Sequence, residues 1–213
     1  MCLEWKIIML KEIEEYAKVN RVPIMLPDGI DYLCNYIKEH NIKRILEIGS
    51  AIGYSAIKMS LVSDDIKITT IEKDINRYNI AVDNIKKFNK EKQINIILGD
   101  ALETVIEEEF DLIFIDASKG NNINFFKKYS ANLSDCGIII TDNLFFHGLV
   151  LDEKLIKTKN QRGIVRKIKE LFTKKSVVNE EQLRTCLELG FKRVYINDSN
   201  LYEKYKNNDI SPV

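Results

Sequence analysis

No run of apolar residues in this chain approaches the 18 or so needed to cross a bilayer, and no segment has the pattern of a signal peptide. The expectation is a soluble, cytoplasmic protein with no membrane partner. Metal-binding soft ligands are scarce. The four cysteines (Cys2, Cys34, Cys136, Cys186) form no CxxC, and only His40 and His147 accompany them. That argues against a zinc site, and more strongly against a disulfide framework; buried, reduced thiols are the expected state. Neither sign of charge is in excess, with 32 Lys and Arg against 32 Asp and Glu, so no global basicity advertises nucleic acid and no acidic tail is present. There is no linker rich in Gly, Pro or Ser and no internal repeat. A chain of 213 residues, 45% of them apolar, fills one substantial core. One domain over 1–213 is expected, with an N-terminal helical extension at 1–40 and a core at 41–213.

What is present is an alternation. Residues 3–19, "LEWKIIMLKEIEEYAKV", set Trp5, Ile8, Met9, Ile13 and Tyr16 at helical spacing. "VPIMLPDG" interrupts with two prolines, and "IDYLCNYIKEH" reads as a second helix. Then the short β-rich runs "KRILEIG", "IKITTIE", "INIIL", "DLIFID" and "GIIITD" are separated by segments long enough for helices. Most lack period-2 polarity, as strands buried on both faces of a parallel sheet do. The fold class that follows is α/β, a Rossmann-like doubly wound sheet. Near the end, "LRTCLELGFKRVYIND" reads as two strands about Gly190, an antiparallel hairpin that brings the count to seven.

In such a sheet ligands bind beyond the carboxyl ends of strands, where the strand order reverses. The first strand, 43–48, and the fourth, 111–115, should flank that point if the crossovers are right-handed. "LEIGSAIGYSAIKMS", Leu46 to Ser60, leads off the first. Gly49 permits a sharp turn, and Gly53 lets a helix start close to a ligand, its free N–H groups available to an anionic group. A dinucleotide fingerprint would want glycine at position 51 for a pyrophosphate; Ala51 crowds it. A ligand without pyrophosphate, such as S-adenosylmethionine, has no such need, and Ser55 can offer its hydroxyl to that ligand's carboxylate. Glu72, ending the second strand, can accept both ribose hydroxyls. Asp100, in "LGDA" after the third, can take the adenine amino group. Each acid taken alone is as readily a solvated cap.

The Gly-Tyr-Ser-Ala run, Gly53 to Ala56, resembles the first motif of the metal-dependent class I O-methyltransferases, the group of catechol and caffeoyl-CoA O-methyltransferases. The resemblance extends from "VPIM" at 22–25 to the closing hairpin. It implies that Glu47 lies under the methionine end of the cofactor, that Gly49 and Ser55 touch it, and that Glu72 holds the ribose. Ser50, Ala51, Gly53, Tyr54, Asp100, Ala101 and Asp116 complete the expected cofactor-binding set.

"FIDASKG" puts Asp116 at the end of the fourth strand, and "ITDN" puts Asp142 and Asn143 at the end of the fifth. Neighbouring strands lie about 4.8 Å apart, so the three oxygen ligands can converge. Two carboxylates and an amide oxygen suit a hard divalent cation, Mg2+ rather than zinc. Turn or helix capping is the alternative for each motif alone. The resemblance matches Asp116, Asp142 and Asn143 to the family's metal ligands and Lys119 to its general base; a lysine that merely balances two aspartates is the alternative for Lys119.

"DASKGNN", with "VPIM" and "TDNLFFHG", looks most like the bacterial tRNA 5-hydroxyuridine methyltransferases, which implies a tRNA anticodon loop as partner and a homodimer. Between 154 and 175 nine Lys and Arg face one acid, Glu170, a segment able to track phosphates or simply to be a solvated helix face. A small phenolic substrate is the runner-up, and a non-catalytic nucleotide-binding module a distant third. Ser118 and Asn121 replace the more usual Ala and Gln, and "LGFKR" (Gly190 to Arg193) stands where the family commonly has Gly-Asp-Gly.

Overall fold

The five apolar runs form five strands: β1 (Arg44–Ile48), β2 (Lys67–Glu72), β3 (Ile94–Leu98), β4 (Phe110–Ile115) and β5 (Leu133–Thr141). The computed structural model describes residues 3–117, 121–141, 157–159, 161–163 and 166. Within them the strands make one sheet in the order β3-β2-β1-β4-β5. β1 pairs parallel with β2, and β2 with β3. The order reverses between β1 and β4, where the sequence placed it. β1, β2 and β4 are buried almost throughout, whereas β3, at the edge, alternates less cleanly between buried and exposed positions. The expected sixth and seventh strands, and the hairpin around Gly190, lie outside the described residues.

β5 starts at Leu133, four residues before the run "GIIITD" announces it. Gly137 masked the start, since glycine is a poor strand former. It is needed here: a Cβ at Gly137 would sit 2.9 Å from the Phe110 carbonyl oxygen and 2.8 Å from the Leu133 side chain.

Helix α1 (Leu3–Val19) has the expected bounds, while α2 (Pro27–Glu39) begins at the proline rather than at Ile30. Proline is tolerated in the first turn because the N–H it lacks would have no helical partner there. α2 buries Ile30, Leu33, Tyr36 and Ile37, one stripe at helical spacing. α3 (Tyr54–Ser60) follows β1, and α4 (Ile75–Lys87) follows β2 with Asp74 as its cap, accepting from the Asn76 and Arg77 N–H groups at 2.9 and 3.0 Å. α5 (Asn122–Tyr129) precedes β5.

β1 is anchored at its start by Asp111 of β4. One carboxylate oxygen accepts from the Lys43 and Arg44 N–H groups at 3.1 and 2.9 Å, and the other from the Arg44 guanidinium at 2.9 Å. Burial alone would raise this carboxyl's pKa, but the bonds from Arg44 and Lys43 outweigh it and hold the group below its ordinary value.

The chain divides into two compact units, Met1–Phe114 with Tyr129–Ile138, and Ile115–Lys128 with Ile139–Val213. The loops that end β1, β2 and β3 belong to the first; Asp116 belongs to the second.

Candidate active site

β1 carries the site's first acid. Glu47 is fully buried, and the parallel register sets it beside Thr70 of β2. Thr70 Oγ1 donates to one of its oxygens at 2.5 Å, and Ser55 Oγ, from the first turn of α3, donates to the other at 2.5 Å. Buried polar groups require such partners. The arrangement changes what Ser55 offers. Its only proton goes to Glu47, so the oxygen is left as an acceptor and does not donate to a ligand carboxylate in this state. Thr70 carried no sequence signal, because its role arises only from the register of two strands 23 residues apart.

The loop after β1 is held from several sides. The Gly49 and Ser50 N–H groups donate to the Ile71 carbonyl at 3.0 and 3.2 Å. Gly49 (φ 100), Ala51 (φ 45) and Gly53 (φ 82) all lie in the left-handed region. Gly53 suits it, and a Cβ there would also come within 3.3 Å of Ala81 Cβ on α4. Ala51 has no such freedom. It is held by its own N–H, which donates to Glu72 Oε2 at 2.7 Å. Asn84 of α4 donates its amide to the Ile52 carbonyl at 2.9 Å.

Glu72 therefore does two things at the end of β2. It is nearly buried, at 6% exposure, and its other oxygen accepts the Asp74 N–H at 2.9 Å. Each carboxylate oxygen thus takes one backbone donor and keeps a second lone pair, enough to accept one ribose hydroxyl apiece. Asp100 comes close to Glu72 through the sheet: β3 pairs Leu98 with Glu72, and the Gly99 N–H donates to the Glu72 carbonyl at 2.9 Å. Asp100 opens a tight turn, its Oδ1 accepting the Leu102 N–H at 2.8 Å. Ala101 is buried and its carbonyl accepts the Tyr129 hydroxyl at 2.6 Å. Burial, then the Asp100 charge, pushes the Tyr129 phenol up to about 12.

Two of the expected contacts are less direct. The Tyr54 hydroxyl donates to Glu14 of α1 at 2.6 Å, so its polar end serves the scaffold. Ser50 is buried and its hydroxyl has no partner among the described residues, an unsatisfied group in the middle of the loop where a polar ligand atom would satisfy it. The structure thus brings Glu47, Gly49, Ser50, Ala51, Gly53, Ser55 and Glu72 together, with Asp100 and Ala101 at the next strand end. Of the chemical set, the structure describes Asp116, which directly follows β4. Lys119, Asp142 and Asn143 lie outside the described residues, as does most of the basic segment 154–175.

A mostly buried sheet reversing between β1 and β4, with buried acids toward the ends of β1 and β2, is a Rossmann-like α/β fold. A family model described as "O-methyltransferase" matches residues 4–187, and the chain belongs to that family. A solved structure of a candidate caffeoyl-CoA O-methyltransferase from Staphylococcus aureus is 39% identical, with a TM-score of 0.71 over 76% of this chain and 78% of that one. An O-methyltransferase from Bacillus cereus, solved in complex with SAH (S-adenosylhomocysteine), is 28% identical, with a TM-score of 0.66 over 77% and 78% of the two chains. A candidate caffeoyl-CoA O-methyltransferase from Arabidopsis thaliana is 30% identical over 148 residues, 67% of this chain. The match spans only 63% of that relative's length.

Proposed function

We propose that this chain transfers a methyl group from S-adenosylmethionine to a hydroxyl oxygen, with a divalent cation, Mg2+ or a similar ion, bound beside the acceptor. The observation that carries the reading is the buried Glu72 carboxylate, held by the Ala51 and Asp74 N–H groups with one lone pair left on each oxygen. It holds the loop after β1, where the buried Ser50 hydroxyl, without a partner among the described residues, also offers itself to a polar ligand atom. SAH in the Bacillus cereus relative supports the same ligand class.

When bound, the donor supplies a methyl group on positively charged sulfur, and the cation supplies Lewis acidity that lowers the acceptor's pKa. The chain's residues do the rest. Glu72 takes the ribose hydroxyls and Asp100 the adenine amino group, while Glu47, with its two hydroxyl donors, lies at the methionine end. Asp116, Asp142 and Asn143 would hold the cation: two carboxylates and an amide oxygen are a hard-ion donor set. Lys119 accepts the acceptor's proton at Nζ, and orientation of the oxyanion in line with the methyl provides the remaining advantage.

Two acceptors fit this chemistry, each with a hydroxyl beside a second oxygen. The "DASKGNN" stretch and the nine basic residues of 154–175 favour 5-hydroxyuridine at the wobble position of tRNA, giving 5-methoxyuridine. The names of the relatives from Staphylococcus aureus and Arabidopsis thaliana favour a phenol, free or on an acyl-CoA. Mass spectrometry of bulk tRNA nucleosides from cells lacking the gene separates them. Loss of 5-methoxyuridine supports the tRNA acceptor, and an unchanged level together with methylation of a catechol-type phenol in vitro assigns the second.

A further inference from the structure

The loop after β1 is pinned by β2 through Glu72 and by α4 through Asn84. A further pin comes from elsewhere. Tyr54, the residue after the left-handed Gly53, reaches α1 and donates its hydroxyl to Glu14 at 2.6 Å across 40 residues of sequence. The Tyr54 ring is 2% exposed, and Ser55, the next residue, is the one that donates to Glu47. A shift of Tyr54 is therefore passed directly to the buried acid.

α1 has a narrow buried stripe. Among its described residues Ile13 and Ala17, one turn apart, are buried apolar groups, with Met9 and Leu10 half-buried, and Glu14 lies one turn from Ala17. Trp5, Ile7, Ile8, Tyr16 and Val19 are exposed. A helix with so small a buried stripe depends heavily on a charge-assisted bond to a buried phenol.

We infer that Glu14 is a positioning residue for the donor-binding loop: the Glu14–Tyr54 bond couples docking of α1 to the geometry of Gly53–Ser55, so the bound donor and the docked helix stabilise each other. The inference rests on the methyltransferase reading for its ligand but not for the bond. Coupling of this kind is reciprocal by thermodynamic necessity.

The test is hydrogen exchange on the full chain, with and without SAH, for the wild type, Glu14→Ala and Glu14→Gln, alongside calorimetric SAH titration. Without ligand, Glu14→Ala should speed exchange of the Ile52–Ser55 amides, and Glu14→Gln, which keeps an acceptor, should not. With SAH, the wild type should slow exchange throughout α1, and Glu14→Ala should lose that protection. Glu14→Ala should also weaken SAH binding about five- to tenfold, with kcat at saturating donor unchanged. Unchanged loop exchange in ligand-free Glu14→Ala overturns the inference whatever the ligand. So does a Glu14→Ala protein that is less heat-stable but binds SAH as the wild type does, since that is a brace and nothing more. If the wild type binds no SAH while Glu14→Ala still loosens the loop, the methyltransferase reading fails and the coupling to donor fails with it; the loop pin itself stands.

Discussion

Glu72→Gln isolates the group that carries the proposed donor site. The carboxylate accepts the Ala51 N–H at 2.7 Å and the Asp74 N–H at 2.9 Å, one on each oxygen. An amide has one acceptor oxygen, so in either orientation its NH2 group confronts a backbone N–H donor at less than 3 Å. Losing one charge-assisted bond of this kind costs about 1.5–3 kcal/mol. Removing a charge from a group only 6% exposed relieves desolvation and acts in the opposite direction. The donor–donor conflict should prevail, because relaxing it means giving up the backbone bond that holds either the left-handed turn at Ala51 or Asp74, the cap of α4. A net loss of about 2 kcal/mol lowers Tm by roughly 4–8 °C in a chain of this size. SAH affinity should fall at least about tenfold, since one oxygen cannot serve two hydroxyls and a backbone donor. Urea unfolding with an unchanged m-value, a thermal melt and SAH calorimetry measure these effects. A Glu72→Gln protein that melts with the wild type and binds SAH equally well would refute the reasoning.

Other outcomes follow from the same geometry. Gly53→Ala should cost about 1–2 kcal/mol by urea unfolding, from the left-handed φ of 82 and the 3.3 Å approach to Ala81. Because the folded-state pKa of Asp111 is depressed, its contribution to stability is present above the ordinary carboxylate range and disappears as pH falls through the folded value. Asp111→Asn should therefore lower stability at neutral pH and make the acid side of a Tm–pH profile shallower; an acid limb as steep as the wild type's would contradict this. Asp142→Ala should abolish turnover while SAH affinity, by calorimetry, stays within about threefold of the wild type, as expected for a residue acting on the acceptor side.

The fold was legible where burial writes itself into composition. Strands covered on both faces need unbroken apolar runs, so β1, β2 and β4 could be read directly, and the chain's alternation implied the reversal between β1 and β4. Boundaries failed where one residue type serves two purposes. Pro27 looks like an interruption yet opens α2, and Gly137 looks like the first residue of a strand yet lies inside β5. The residues of the candidate site could be named from the sequence, but their wiring could not. Glu72 and the Gly49–Gly53 spacing stood out because strand ends and left-handed turns restrict residue choice, whereas Glu47 was named by the family resemblance alone. That Ser55 spends its proton on Glu47, that Thr70 supplies the second donor, and that Tyr54 is tied to Glu14 depend on contacts across 8, 23 and 40 residues. Local patterns carry no trace of such pairings.

The most direct measurement is methyl transfer itself. The purified chain is incubated with methyl-labelled S-adenosylmethionine and, in parallel, with a catechol-type phenol or with tRNA bearing 5-hydroxyuridine, in Mg2+ and again in excess chelator. The account predicts one labelled methyl ether on one of these acceptors in Mg2+, and none with chelator or with Asp116→Ala. Binding of NAD but not of S-adenosylmethionine, or label transferred equally well in chelator, would contradict it.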